Sequence, residues 1–291
     1  MKGLILVNAY THSEHELYQP RRLQEELAEL GVATDLKRND FCPAYLDSGI
    51  KTDTAEYDFC VYLDKDKYVP RLLEGAGMRL FNRAQAVEVC DDKMRTHMAL
   101  AGAVRMPATI AAPLCYTPDA PVSAALLDKV ERVLGYPVVV KECYGSLGKG
   151  VYLAENRAQL ALIAEKLKLR PHLFQKFVAE SAGKDLRVLV VGGRAIAAMR
   201  RVSETDFRSN AELGGRGEQY PLDTATAALC EKTADALGLD FCGVDLLFGK
   251  DGFEVCEVNS NAFFGTFERV TGINVARLYA HHIVQTMCKL G

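Results

Sequence analysis

The sequence predicts an α/β fold in which a small parallel-sheet domain, residues 1–88, precedes two mixed lobes, 89–172 and 173–291. Three observations carry this. Residues 3–8 form a short apolar run followed by a polar loop and by helical spacing of Leu23, Leu27 and Leu30 before Gly31, which reads as a strand, crossover and helix. Further strand-like runs at 32–36, 57–63 and 78–81 alternate with a helix starting near Pro70. From Asp91 onward the pattern changes to paired strands with tight turns.

The elements follow in order. Residues 91–101 read as helix, 107–110 as extended chain, and 117–123, with two prolines, as a loop before a helix ending at Leu134. Strands at 137–142 and 150–154 flank a glycine-rich turn, and 157–167 returns as helix. Runs at 173–178, 185–191 and 194–201 read as strands, with Gly192-Gly193 as a hairpin turn. Helices are expected at 224–237, stopped by Gly238, and at 274–289.

Composition narrows the function. With 291 residues, 49% apolar and 25% charged, the chain has the make-up of a globular protein. A net charge of −3 argues against a bulk binder of nucleic acid or anionic membrane. No apolar stretch is long enough for a membrane span or signal segment, so a cytoplasmic location is expected. Nine scattered cysteines without a C-x-x-C pair point to reduced thiols.

Residues 243–259 carry the sharpest chemical signal. With a three-residue loop at Lys250-Asp251-Gly252, Gly249 pairs with Phe253 and Asp245 faces Glu257; alternation adds Asn259 to that face. Two facing carboxylates and an amide oxygen suit a hard divalent cation, whereas a solvated hairpin is the plain alternative. A second signal is Lys141 followed by Gly145, Gly148 and Gly150, a loop able to turn several N–H groups toward one anion without matching a Walker or dinucleotide fingerprint. A third joins Asp185 and Arg187 on one strand face with Arg200, Arg201 and the polar stretch 206–210. His12 with His15, and His281 with His282, lack partner ligands at suitable spacing, and no G-x-S-x-G elbow is present.

Taken together, Asp92-Lys93, Lys141 with 145–151, Gln175 to Val178 with Glu180, Asp185-Leu186-Arg187, 206–210 with Gly214-Gly215, and 243–245 with 257–259 resemble the RimK-like branch of the ATP-grasp ligases across about residues 85–275. The N-terminal, Rossmann-like domain is similar to the family's pre-ATP-grasp domain. The resemblance implies an ATP-grasp fold and a carboxylate–amine ligase that works through an acyl phosphate, adding glutamate or another amino acid to a small molecule, peptide or protein. It implies ATP and two Mg²⁺ or Mn²⁺ ions. On this likeness Lys93 and Lys141 contact the nucleotide phosphates, and the loop with Gly145, Ser146, Gly148 and Gly150 closes over them. Gln175, Lys176, Phe177 and Val178 form the adenine-side linker, and Glu180 and Asp185 are ribose-side acids. Arg187, Arg208, Ser209 and Asn210 also join the nucleotide contacts. Asp245, Glu257 and Asn259 are metal ligands, and Arg200, Arg208 and Lys141 act on the reacting phosphoryl group.

Two departures stand out: Ser260 to Gly265 replaces the small-residue and proline stretch of many relatives, and Lys176 stands where an acid is common. Arg21 and Arg22 are expected to face the cleft and bind a substrate carboxylate. A ligase acting on ribosomal peptides and a non-catalytic ATP-binding module are the other readings. Relatives of this kind suggest a homo-oligomer, with no nucleic-acid or membrane partner.

Overall fold

A computed structural model describes residues 1–145, 148–209 and 216–290. The chain begins with β1 (Lys2–Val7), α1 (Glu14–Glu29), β2 (Ala33–Arg38), a hairpin of β3 (Ala44–Leu46) and β4 (Ile50–Thr52), β5 (Phe59–Leu63), α2 (Tyr68–Gly75) and β6 (Arg79–Phe81). The sheet order is β2-β1-β5-β6, all parallel. Periodicity places the first helix from Pro20 onward, but α1 starts at Glu14. Ser13 and Glu16 form a reciprocal capping box that satisfies the first amides, and Pro20 lies inside the helix.

Two helices, α3 (Ala84–Asp91) and α4 (Lys93–Leu100), follow. Next come β7 (Thr109–Ala111), α5 (Ala124–Leu134), β8 (Val138–Glu142), β9 (Val151–Ala154), α6 (Arg157–Leu167) and β10 (His172–Lys176). The four strands form an antiparallel sheet ordered β7-β10-β8-β9. Val138, Val140 and Phe174 face α5 and α6, where they pack with Val130 and Leu160. The alternate residues Val139, Lys141 and Gln175 therefore face the other way, toward the third sheet.

That sheet is built from β11 (Lys184–Val191), β12 (Arg194–Val202), β13 (Arg216–Tyr220), β14 (Phe241–Gly249) and β15 (Gly252–Asn259), in the order β13-β12-β11-β14-β15, with α7 (Thr224–Leu237) covering one face. The Gly192-Gly193 turn carries φ of 56° and 75°, left-handed values that a side chain disfavours. The chain closes with α8 (Gly265–Thr271) and α9 (Val275–Leu290).

The N-terminal sheet and this C-terminal lobe share one core. Ile5, Leu27 and Phe81 pack with Phe241, Phe264, Tyr279 and Ile283, and the Phe241 and Tyr279 rings stack at 4.9 Å. Buried Asn82 ties the seam: Nδ2 donates to the carbonyls of Phe241 (2.7 Å) and Ser260 (2.8 Å), and Oδ1 accepts from the amides of Asp240 (2.7 Å) and Phe241 (3.0 Å). None of the nine cysteines is in a disulfide. Among the described residues no helix is long and apolar enough to cross a membrane.

Candidate functional site

A cavity lies between the second and third sheets. One end is apolar: Val139, Val178 and Leu247 border it, with Phe177 and Phe207 edge to face at 6.4 Å. The rest is strongly cationic. Among the described residues seven Lys and Arg side chains line it against three carboxylates, Asp185, Asp245 and Glu257. Such a surplus favours a polyanion with an apolar portion.

Local structure sets each cation. The Asp92 carboxylate accepts the amides of Met94 (2.9 Å) and Arg95 (3.2 Å), capping α4 so that Lys93 is its first residue. Lys93 Nζ donates to the Gly145 carbonyl at 2.8 Å and lies 4.0 Å from Glu257. One turn later on α4, buried His97 sits beside the amide of Gln175, 3.2 Å away, and Gln175 also donates to Thr109 Oγ1 at 3.0 Å. Burial, aided by the Lys141 cation, pushes His97 down to about 4, so it is neutral at pH 7. Lys141 Nζ reaches Cys256 Sγ at 3.3 Å; burial pushes that thiol up, so it stays protonated. Gly145, Gly148 and Gly150 all have positive φ, of 118°, 73° and 73°. Arg208 Nη1 donates to the Gly148 carbonyl at 2.7 Å while the same guanidinium pairs with Asp206. The loop is thus held at one end by Lys93 and at the other by Arg208.

The acids are placed by two β-bulges. Back from the Gly192-Gly193 turn, Val191 pairs with Arg194, a register that would set Asp185 opposite Arg200. An extra residue at Ile196 shifts it by one, and Asp185 faces Arg201 instead. On the other hairpin the turn is two residues, with Gly249 opposite Gly252, not the three-residue loop that the sequence suggests. That register would pair Asp245 with Cys256. A bulge at Cys256 restores the facing of Asp245 and Glu257, with Gly243 opposite Asn259.

The result is a charge ladder on one sheet face. Arg201 Nε donates to Asp185 Oδ1 at 2.7 Å, with a second bond from Nη2 to Oδ2, and Nη2 lies 3.1 Å from Asp245 Oδ2. Arg187 grips Asp245 through two bonds of 2.7 and 2.8 Å, and Asn259 Nδ2 donates to the same carboxylate at 3.2 Å. Burial opposes ionisation of Asp245, but the guanidiniums of Arg187 and Arg201 outweigh it and hold the carboxyl below its usual value. Those same carboxylates keep Arg201 firmly charged against its own burial.

The sequence-predicted residues sort as follows. Lys93, Lys141, Gly145, Gly148, Gln175, Lys176, Phe177, Val178, Asp185, Arg208, Ser209, Asp245 and Glu257 all border the cavity. Arg200 does not: it lies on the opposite face and pairs with Glu218, because strand alternation and the Ile196 bulge give the inward place to Arg201. Glu180 and Arg187 are outside the lining, Glu180 in a short 3₁₀ turn and Arg187 spent on Asp245. Arg21 and Arg22 pair with Glu14, Glu25 and Glu26 of their own helix, away from the described cavities. Ser146 and Asn210 lie outside the described residues. Arg201, Ser181, Lys184 and Cys256 line the cavity without having been singled out for a role. Only strand register could have revealed Arg201 or Cys256, and the bulges hide it.

Asp245, Glu257 and Asn259 bring two carboxylates and an amide to one edge, a hard-oxygen donor set that fits Mg²⁺. Among the described residues no group of three His, Cys, Asp or Glu is arranged to hold a metal, so this set consists of the two carboxylates and the amide alone.

Comparisons with known proteins agree with this geometry. The model of the RimK-like ATP-grasp domain matches residues 90–283. The chain is 42% identical over 232 residues to human N-acetylaspartylglutamate synthase A, covering 78% of this chain and 58% of that one. It is 32% identical over 288 residues to a probable alpha-L-glutamate ligase of Marinomonas sp., covering 93% and 92%. It spans only 56–59% of the length of five such curated synthases. Among solved structures, D-alanine–D-alanine ligase from Bacillus anthracis superposes with a TM-score of 0.74 at 15% identity, covering 100% of this chain and 98% of that one. A RimK domain protein from Sphaerobacter thermophilus gives 0.71 at 23%, covering 97% and 99%, and these two likenesses concern the ATP-grasp fold. By the extent of the domain match and the near full-length Marinomonas relative, the chain belongs to the RimK-like ATP-grasp family.

Proposed function

We propose that the chain is an ATP- and Mg²⁺-dependent carboxylate–amine ligase that joins glutamate or another amino acid to a carboxylate-bearing small molecule or peptide. The observation that carries this reading is the polarity of the cavity: an apolar end bordered by Val139, Phe177, Val178, Phe207 and Leu247, and at the other end Lys93 and Lys141 beside the facing Asp245 and Glu257. A base suits the first end and a triphosphate the second.

In this reading Lys93, Lys141 and the glycine-loop amides hold the phosphate oxygens, with Arg208 closing the loop from the other side. Phe177 and Val178 border the base, with Gln175 and Lys176 beside them and Asp185 nearby. Asp245, Glu257 and Asn259 would hold Mg²⁺ or Mn²⁺, one ion or two, which supplies charge neutralisation at the transferring phosphoryl group. The substrate carboxylate takes that group, forming an acyl phosphate and ADP; the amine then displaces inorganic phosphate and the amide forms. No protein nucleophile takes part. Arg201, held by Asp185 and Asp245, supplies positive charge on the reacting face, the role that the sequence suggested for Arg200. The named relatives, glutamate-adding synthases and ligases among them, support glutamate as the added unit.

The test is ADP release from ATP, Mg²⁺ and an amino-acid pool, with products weighed by mass spectrometry. Glu257→Gln is expected to lower turnover by about 10²-fold or more, the scale of losing one preorganised charge at a transition state. Tight ATP binding with no turnover on any pool or cell extract would instead favour a non-catalytic ATP-binding module.

A further inference from the structure

His97, on α4, is 6% exposed, and the ligase chemistry makes no use of it. Its ring joins a relay with Gln175 of β10 and Thr109 of β7. Thr109 and Gln175 are cross-strand partners, and Val139 of β8 partners Gln175 on its other side. The Gln175 amide is therefore set beside the apolar end of the nucleotide cavity, which Val139 borders.

The available hydrogens fix the direction of each bond. Thr109 Oγ1 has one hydrogen and donates it to the Pro107 carbonyl at 2.9 Å, so toward Gln175 it can only accept. Gln175 Nε2 supplies that hydrogen at 3.0 Å and points its second at His97 Nε2, 3.2 Å away. His97 is buried and neutral, so Nε2 takes the hydrogen on its lone pair and the ring proton stays on Nδ1. Turning the amide over would set Gln175 Oε1 against Thr109 Oγ1 with no hydrogen between the two oxygens. Gln175 Oε1 is left as a bare acceptor: among the described residues it has no partner, and it keeps surface where this otherwise buried side chain lines the cavity.

The arrangement is kept at a cost. Among the described residues His97 Nδ1 has no hydrogen-bond partner, and a buried donor without an acceptor destabilises the fold. Leucine or methionine would fill the space without stranding a polar atom. What the imidazole adds is the lone pair that takes the second Gln175 hydrogen. Building on the nucleotide reading of the cavity, we propose that His97 is a positioning residue for base selection: with Thr109 it locks the Gln175 amide so that its oxygen, not its nitrogen, meets the edge of the base. A bare acceptor pairs with an exocyclic amine and opposes a carbonyl at the same place. Adenine carries that amine, whereas guanine carries an oxygen there, as does hypoxanthine.

Calorimetric titration of the full chain with ATP or inosine triphosphate, both with Mg²⁺, tests this without requiring turnover. ATP is expected to bind about 10²-fold more tightly, because the inosine base sets its own oxygen against a buried acceptor. His97→Leu removes the lone pair and frees the amide to turn over, so the preference is expected to fall below about 10-fold. His97→Gln, whose side-chain oxygen can take the same hydrogen, is expected to keep it. A role in packing alone would weaken both nucleotides together and leave their ratio intact. Equal binding of the two nucleotides by the unaltered chain overturns the assignment, as does a ratio that His97→Leu leaves unchanged. If His97→Leu does not fold, Thr109→Val, which removes the other acceptor, is read by the same criterion. Absence of binding by either nucleotide overturns the nucleotide reading and this assignment together. A selective, His97-dependent ATP site without turnover supports the assignment and counts against the ligase reading alone.

Discussion

Replacing Arg201 and Arg200 one at a time by methionine separates the two faces of the third sheet. Arg201 is 7% exposed at its side chain and shared by the buried carboxylates of Asp185 and Asp245. Losing it leaves Asp185 without the guanidinium that grips it and Asp245 with Arg187, and breaking a buried pair in this way costs about 3–5 kcal/mol. Arg200 and Glu218 are 41% and 32% exposed, so solvent screens them and Arg200→Met should cost about 1 kcal/mol or less. Urea unfolding at pH 7 reads both. A pH series adds a signed check: the carboxyl of Asp245 is held low in the fold, so its contribution is present above its unfolded pKa, near 3.8, and is lost as pH falls below it. Arg201→Met should weaken that acid dependence. Comparable costs for the two variants, or a neutral Arg201→Met, would refute the bulge-shifted register.

Other expectations follow from single contacts. His97 is held neutral down to about 4, so below pH 6.5 the unfolded chain binds the extra proton and stability falls with pH; urea unfolding should show a loss approaching 3 kcal/mol by pH 4 that His97→Gln lacks. Asn82→Ala strands two backbone amides and two carbonyls at the seam, which should cost about 3–5 kcal/mol in the same measurement, from about 1–3 kcal/mol per unsatisfied group and partial relaxation. Arg208→Ala frees the Gly148 carbonyl while breaking only a partly exposed pair with Asp206; KM for ATP should rise several-fold with stability changed by about 1 kcal/mol or less.

Much of the fold was legible because its signals are local. The helices at 157–167 and 224–237 fall where their periodicity and stop signals put them, and the Gly192-Gly193 turn needs only its own residues. The start of α1 was missed because its signal was a capping pair, Ser13 with Glu16, rather than an apolar stripe. The strands β3 and β4 are three residues each, and β13 reads RGEQY with no apolar alternation, so period two does not register in them.

The site divides along the same line. The sequence by itself determined the candidate groups: Lys141 at a strand end, a glycine loop, and an acid pair with an asparagine on one hairpin follow from residue type and short spacing, and the family resemblance added Lys93. It could not determine which arginine faces them. That depends on two bulges, at Ile196 and Cys256, each inserting one residue and turning every side chain beyond it to the other face. Only the packing of α7 on one side of the sheet decides which face is buried and which meets the cavity, so Arg201 and not Arg200 stands beside Asp245.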